Sequence, residues 1–394
     1  MAARGKRVGM EVSIAVAEAV KYSDADVIAA YPITPQTHIV EHLAEIVADG
    51  ELDAEYIPVE SEHSAMSACV GSSAAGARTF TATSSQGLAL MHEILFIASG
   101  LRTPMVMSVV NRSLSAPLSI WGDHTDIMAE RDIGWIQFFA ENGQEAFDLV
   151  IQAFRVSEHR DVLLPAIVNL DGFNLSHVIE PIVLPKIQKV RDFIPPYEPV
   201  YRVDPDKPLC FGPVGIPEIY TEAHMQQNEA LKDSKTVILE VWEEFAKKFG
   251  RRYRPVEGYR ARGAEVLLVT QGGISETARI AVDRMREQGR KVGLIRIRLW
   301  RPFPFDEFYE AVGKAKVLVV VDRAISMGGI GGPLAAELRT ALYHRDPRPH
   351  VVNFIGGLAG RDIRAVHFEE MTNKAIAYAE SDSVPIYEMF GVRE

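Results

Sequence analysis

Between residues 25 and 170 the chain repeats one pattern: a short apolar run, a sharp turn, then a longer stretch with helical spacing. The runs are Ala25–Ala30, Tyr56–Glu60, Arg78–Thr83, Thr103–Val110, Trp135–Phe139 and Leu163–Leu170. Most are almost continuously apolar, as strands covered by helices on both faces must be. Strands that alternate with helices in this way build a doubly wound parallel sheet, because right-handed crossovers lay the helices on its two faces. Such sheets bind ligands at the carboxyl ends of their strands. The residues that follow each run therefore carry the functional information.

Tyr31-Pro32 ends the first run, since proline has no N–H for the ladder and restricts the residue before it. Thr34 is expected as a helix N-cap, with Pro35 at the first helical position and His38–Val47 as the helix. The second run delivers Glu62 just before a small-residue helix, Ser64–Gly71. Two neighbouring strand ends thus present a hydroxyl and a carboxylate on one edge. The third run feeds Ser84-Ser-Gln-Gly87, which opens a helix over Leu88–Ser99, and the fourth ends in Asn111 and Arg112. Position alone leaves alternatives open. A carboxylate at a buried strand end is costly unless something uses it, but Glu62 could also cap a helix or join an ion pair. Arg112 is a fork suited to a carboxylate, and equally a residue for a helix C-terminus or a surface pair.

Four motifs stand in order along this part of the chain: Tyr31-Pro-Ile-Thr-Pro35, Glu60-Ser-Glu-His-Ser-Ala65, Ala82-Thr-Ser-Ser-Gln-Gly-Leu-Ala-Leu-Met-His92 and Asn111-Arg-Ser-Leu-Ser-Ala-Pro117. Together they resemble the alpha subunit of the 2-oxoacid:ferredoxin oxidoreductases, most closely the pyruvate enzymes. The resemblance covers essentially the whole chain, with the specific motifs in the first 180 residues. It implies a thiamine diphosphate enzyme that oxidatively decarboxylates a 2-oxoacid with coenzyme A, reversibly. By that resemblance Glu62 is the catalytic residue that hydrogen-bonds the aminopyrimidine ring and favours the imino form that activates the cofactor. Thr34 and Arg112 hold the substrate carboxylate, a small hydroxyl at 34 fitting a substrate with one carboxylate. Tyr31, Ile33 and Asn111 line the pocket, Ile33 reading equally as core. His63, Gln86 and Gly87 fall on the cofactor side, His63 either orienting Glu62 or serving as a core histidine.

Asp171-Gly-Phe173 is not the Gly-Asp-Gly metal motif of thiamine diphosphate sites: Leu170 stands where the first glycine belongs, and no asparagine follows at the required distance. The chain is therefore expected to bind the pyrimidine end of the cofactor and not its diphosphate. The resemblance places Mg²⁺ and the diphosphate on a beta subunit and [4Fe–4S] clusters on partner subunits. Gamma and ferredoxin-like delta subunits complete a dimer of heteromers that reduces ferredoxin. The chain's own Cys69 and Cys210 are too few and too far apart for a cluster or zinc site and are expected as reduced thiols. Trp121-Gly-Asp-His-Thr-Asp126 lacks a convincing ligand spacing and reads as a loop over the site or a subunit contact.

The rest of the chain suggests a three-part organisation: a pyrimidine-binding α/β domain over 1–183, a proline-rich linker and helical region over 184–262, and a smaller α/β domain resembling the transketolase C-terminal domain over 263–394. A helix is expected over Met10–Tyr22, a long charged one over Glu218–Phe249, and strands over Ala264–Thr270, Val292–Arg298, Val317–Asp322 and, last, His350–Phe354. Arg301-Pro-Phe-Pro304 is assigned to the last part as a structural segment. A net charge of -11 without a basic patch argues against nucleic-acid binding. A polar N-terminus and the lack of any apolar run of about 18 residues lead us to expect a cytoplasmic protein off the membrane. Two rivals remain. Gly328–Gly332 could be a dinucleotide loop of a nicotinamide-dependent dehydrogenase, although Leu334 spoils the third glycine position. The chain could also be a scaffold that kept the fold without the chemistry.

Overall fold

The computed structural model describes residues 5–381 and 383–393. Its larger sheet has seven strands, in the spatial order Leu299–Arg301, Ile136–Phe139, Ala166–Asp171, Val106–Asn111, Thr79–Thr83, Val27–Ala30, Glu55–Pro58. Six of them are the six apolar runs, all parallel. Helices Val12–Tyr22, Thr37–Ala48 and Gly143–Ser157 bury their apolar sides in one core with Phe80, Phe138 and Phe154. Helices Glu62–Ala75 and Ser85–Gly100 cover the other face through Met66, Leu88, Met91 and Leu95. The chain leaves Val27–Ala30 for the edge strand Glu55–Pro58 and then returns past it to Thr79–Thr83. Strand order reverses there, and reversal opens a crevice at the carboxyl edge.

The second sheet has six strands, ordered Glu388–Met389, His350–Ile355, Val317–Asp322, Val266–Thr270, Val292–Ile297, Val256–Tyr259, of which only the last is antiparallel. The helix Pro217–Phe249 begins with proline at its first position and ends on Gly250 in the left-handed conformation, where a residue without Cβ is favoured.

Several expectations are corrected. Met10 and Glu11 belong not to a helix but to the strand Lys6–Glu11, which pairs antiparallel with Ile179–Leu184. The sequence gives neither of these edge strands a long apolar run. The proline-rich stretch contains a short helix, Ile187–Arg191. His350–Ile355 is not the last strand, since Glu388–Met389 adds to its edge. Leu299–Arg301, within the stretch assigned to the last part, extends the first sheet instead, antiparallel to Ile136–Phe139.

The two sheets share an apolar core that runs from Met107, Trp135 and Phe139 to Leu267, Ile295 and Trp300. Buried ions fix their register. Asp171, at the end of a central strand and 1% exposed, accepts Gly273 N–H at 2.5 Å and His124 Nε2 at 2.8 Å and pairs with Arg323. Burial pushes its carboxyl up, but Arg323 and His124 outweigh that and hold it well below the usual carboxylate range. Beside it Arg298 bridges Glu145 at 2.6 Å and Glu257 at 2.8 Å. Asp171→Asn leaves the Arg323 cation buried without its anion, and the expected cost is about 3–5 kcal/mol, read by urea unfolding at pH 7. The depressed acid stabilises fully above its unfolded value of 3.8 and loses its contribution as pH falls below it. The gap between the two proteins should therefore narrow in acid.

Candidate active site

Ser61, extended, caps the helix Glu62–Ala75 by accepting Ser64 N–H at 3.2 Å. Glu62 is thus the first helical residue, not the residue before the helix. The N-terminal dipole favours a carboxylate there. Its side chain is 7% exposed, and among the described residues none donates a hydrogen bond to it. It faces Gly87 near the start of the helix Ser85–Gly100. A Cβ on Gly87 would come within 2.7 Å of Glu62 Oε1 and 2.5 Å of Thr83 Oγ1. Glycine at 87 is required by this close approach. Thr83 Oγ1 and Ser84 Oγ are themselves buried without partners.

Thr34 is not a helix N-cap. The helix starts at Thr37, and Gln36 folds back, its N–H donating to Ile33 O at 2.9 Å and its Nε2 to Tyr31 O at 2.8 Å. The turn is held off the helix by Pro35, which packs where a side chain on Gly172 would sit, 2.9 Å away. This leaves the Thr34 side chain exposed and aims its carbonyl at Arg112, whose Nη1 donates to it at 2.9 Å. Arg112 Nε donates to Ser119 O at 2.7 Å, and its Nη2 has no partner among the described residues. Burial lowers the guanidinium's pKa although nearby Asp126 opposes this, and the group stays a cation. Two segments far apart in sequence therefore meet, through the carbonyl of Thr34 and not the hydroxyl expected to act there, with one guanidinium nitrogen unused.

Asp126 escaped the sequence reading. It lies in the short helix Thr125–Ala129, beneath the strand ends, and accepts N–H groups from Ser85 at 3.1 Å, Arg112 at 2.9 Å and Ile127 at 2.7 Å. Asn111 Nδ2 donates to it at 3.1 Å. Burial raises its pKa to about 7 against these hydrogen bonds. It locks the Ser84–Gly87 turn to the Asn111–Arg112 strand end. It also supports Ser85, whose φ of +47° is the left-handed conformation that a serine adopts only at a cost. No spacing rule links an aspartate to segments 14 and 41 positions before it, so the sequence carried no signal for it.

The other candidates fall in different places. Asn111 is fully buried and spends its amide on Asp126 and Asn169, so it supports the site from below. Gln86 is half-buried with Oε1 at 2.6 Å from Ser85 Oγ, Tyr31 is 37% exposed and Ile33 is half-buried. His63 turns away to Glu93, 4.0 Å distant, and makes no hydrogen bond to Glu62. Trp121–Asp126 closes against the second sheet's loops, with Gly360 N–H donating to Gly122 O at 2.8 Å and Ala359 N–H to Asp123 Oδ2 at 2.9 Å.

These features fit one end of a flat, polar heterocycle. Two hydroxyls stand buried without partners next to a largely buried carboxylate, and the wall beside them is kept free of a Cβ. Gly87→Ala is expected to fold with a loss of about 1–3 kcal/mol. A crystal structure of the variant should show the Glu62 carboxylate displaced, whereas an unmoved carboxylate would refute the steric reading.

The Gly328–Gly332 loop offers no comparable opening. Asp322, buried, accepts Leu334 N–H at 2.8 Å and Ala335 N–H at 3.1 Å, taking the helix N-terminus that a dinucleotide phosphate would need. A Cβ on Gly332 would meet its Cγ at 2.0 Å. Gly332 makes room for an aspartate.

Comparison with known proteins matches residues 18–243 to the family described as pyruvate flavodoxin/ferredoxin oxidoreductase, thiamine diphosphate-binding, and residues 264–368 to pyruvate:ferredoxin oxidoreductase core domain II. The pyruvate synthase subunit PorA of Methanocaldococcus jannaschii is 52% identical over 372 residues, 94% of each chain. The ketoisovalerate oxidoreductase subunit VorA of Pyrococcus abyssi is 45% identical over 350 residues, 88% of each. Among solved structures, the 2-oxoglutarate:ferredoxin oxidoreductase of Magnetococcus marinus superposes with a TM-score of 0.70 at 19% identity, over 95% of this chain and 66% of that one. A split-gene transketolase gives 0.55 at 12% identity, over 94% and 99%, which extends the likeness of fold. The chain belongs to the 2-oxoacid:ferredoxin oxidoreductase family and is of its alpha-subunit type.

Proposed function

We propose that this chain supplies the proton-handling carboxylate and the substrate-carboxylate contacts of an enzyme that converts pyruvate and coenzyme A to acetyl-CoA, carbon dioxide, a proton and two low-potential electrons for ferredoxin. The observation that carries the proposal is the pairing, on one sheet edge, of an unpartnered buried carboxylate with a guanidinium that has one unused donor. When bound, thiamine diphosphate supplies the electron sink for breaking the bond between the carboxylate carbon and the keto carbon. Glu62 would hydrogen-bond the ring nitrogen of the aminopyrimidine and pass it the proton that favours the imino form, with the Thr83 and Ser84 hydroxyls beside it. Arg112, assisted by the turn at Thr34, holds the substrate carboxylate by charge-assisted hydrogen bonds. Tyr31 and Ile33 bound the space beyond.

Mg²⁺ and the cofactor diphosphate belong to a beta subunit in this reading, because the chain's Asp171 is already committed to Arg323, His124 and Gly273. With a fully buried Cys69, an exposed Cys210 and no other cysteine, the [4Fe–4S] clusters belong to partner chains, the gamma and ferredoxin-like delta subunits. Among the described residues no helix is long and apolar enough to cross a membrane, in keeping with a cytoplasmic complex. A branched 2-oxoacid is the second reading for the substrate, favoured by the likeness to the ketoisovalerate subunit.

The test is dye reduction by the natively purified complex with a panel of 2-oxoacids, with and without coenzyme A. Coenzyme A-dependent turnover fastest on pyruvate supports the proposal. A preference for 2-ketoisovalerate would replace the substrate, and turnover without thiamine diphosphate would overturn the mechanism. Glu62→Gln should leave the complex assembled and lower kcat by about 10²–10⁴-fold; full activity would mark the chain as a scaffold. Arg112→Lys keeps the charge but loses the fork, so KM for the 2-oxoacid should rise by about tenfold or more while coenzyme A kinetics hold.

A further inference from the structure

Beside the substrate turn, and unused by the chemistry above, lies a cluster drawn from three separate elements. Glu11 ends the strand Lys6–Glu11, His38 stands in the first turn of the helix Thr37–Ala48, and His177 lies in the turn that follows Ala166–Asp171. One donor atom from each falls within 4.8 Å of the other two, and all three residues are half-buried. We propose that Glu11, His38 and His177 form a divalent transition-metal site of the zinc class, which braces the turn bearing Thr34.

The donor set suits that ion. Two imidazoles and a carboxylate are borderline ligands of the kind zinc prefers, and they give the site one negative charge against two positive. Zinc–ligand bonds of about 2.0–2.2 Å in a tetrahedral shell put the donors about 3.3 Å apart. His38 Nδ1 now stands 2.6 Å from Glu11 Oε1, and the imidazoles of His38 and His177 are 4.5 Å apart between centroids. The three donor atoms lie within 4.8 Å of one another and the His38–Glu11 pair is closer than the ion requires, so small side-chain rotations bring all three to one ion and leave its fourth position open.

Two of the three ligands are also held in place. Val12 N–H donates to Val178 O at 3.1 Å and Ser13 N–H to Ser176 O at 2.9 Å, so the turn carrying His177 is sewn to the residues after Glu11. Ser13 Oγ adds a bond to Ser176 O at 2.8 Å. His177 Nδ1 lies 2.7 Å from Ser176 Oγ, which also accepts Phe173 N–H at 2.9 Å. This contact occupies one ring nitrogen and presents the other, the arrangement seen around metal-bound imidazoles. The Phe173 ring lies 4.8 Å from that of His177 and limits its rotation. Burial and the neighbouring His38 also lower the pKa of His177, opposed by Glu11, which keeps a lone pair available. His38 sits four positions after Thr34, so an ion here would tie the substrate turn to the end of a central strand.

The test uses the complete complex, stripped with chelator and equilibrated against Zn²⁺, with zinc counted per alpha chain by elemental analysis. Partner-chain iron does not enter that count. The expected result is one more zinc per alpha chain in wild type than in His177→Ala or Glu11→Gln, with affinity at least tenfold weaker in each variant, and a zinc-induced rise in thermal midpoint confined to wild type. Glu11→Gln preserves shape and decides the matter even where His177→Ala fails to assemble. Equal zinc content in wild type and Glu11→Gln would overturn the proposal and leave an ion pair with two stacked imidazoles.

Discussion

The architecture of the site depends on the carboxylate of Asp171. A buried anion of this kind is tolerated only where cations and N–H groups converge on it. Arg323, His124 and the Gly273 amide do so, two of them from the second sheet's loops. Gly272 and Gly273 must lack side chains, because a Cβ on either would approach Oδ2 to 2.6 or 3.0 Å. Arg323 also donates to Gly122 O at 2.5 Å, and its carbonyl accepts His124 N–H at 2.8 Å. The segment fixed in this way includes Ser119, whose carbonyl orients Arg112. The second sheet therefore reaches Arg112 through the Ser119–His124 segment without touching it.

Two carboxylates at helix starts show how chemistry and structure separate. Asp322 is saturated by two helix amides and by Asn353 Nδ2 at 2.9 Å, and its glycine-rich surroundings close over it. Glu62 occupies the same dipolar environment but keeps its oxygens unengaged by any described residue. A largely buried acid with no internal partner leaves its oxygens available to a group brought to it from outside the chain. The contrast distinguishes a structural glycine cluster from a functional one more surely than the number of glycines does.

The parallel sheet was legible because its strands are buried on both faces and so write long apolar runs. The strand-end positions of Glu62, Thr34 and Arg112 were legible because strand ends in such a sheet converge on one edge, whereas the roles proposed for them rest on the family resemblance. The edge strands Lys6–Glu11 and Ile179–Leu184 were hidden, since a half-exposed ladder with residues such as Pro181 leaves no run to read. The detachment of Leu299–Arg301 to the first sheet, and the positions of Asp126 and Asp171, depend on contacts between segments over a hundred positions apart or on buried amides. Neither leaves a periodic trace. Thr34 misled for a local reason: the Thr-Pro pair has the chemistry of a helix start, yet the packing of Pro35 on Gly172 delays the helix to Thr37.

Thr83 and Ser84 place hydroxyls in a crevice that the folded chain cannot itself satisfy. Where solvent reaches such groups before a cofactor or partner arrives, ordered water is what hydrogen-bonds them. Docking must then displace that water, exchanging immobilised solvent for heterocycle and neighbouring protein. Assembly should accordingly carry an entropic gain localised at this strand end and should respond to osmolytes that change the activity of water.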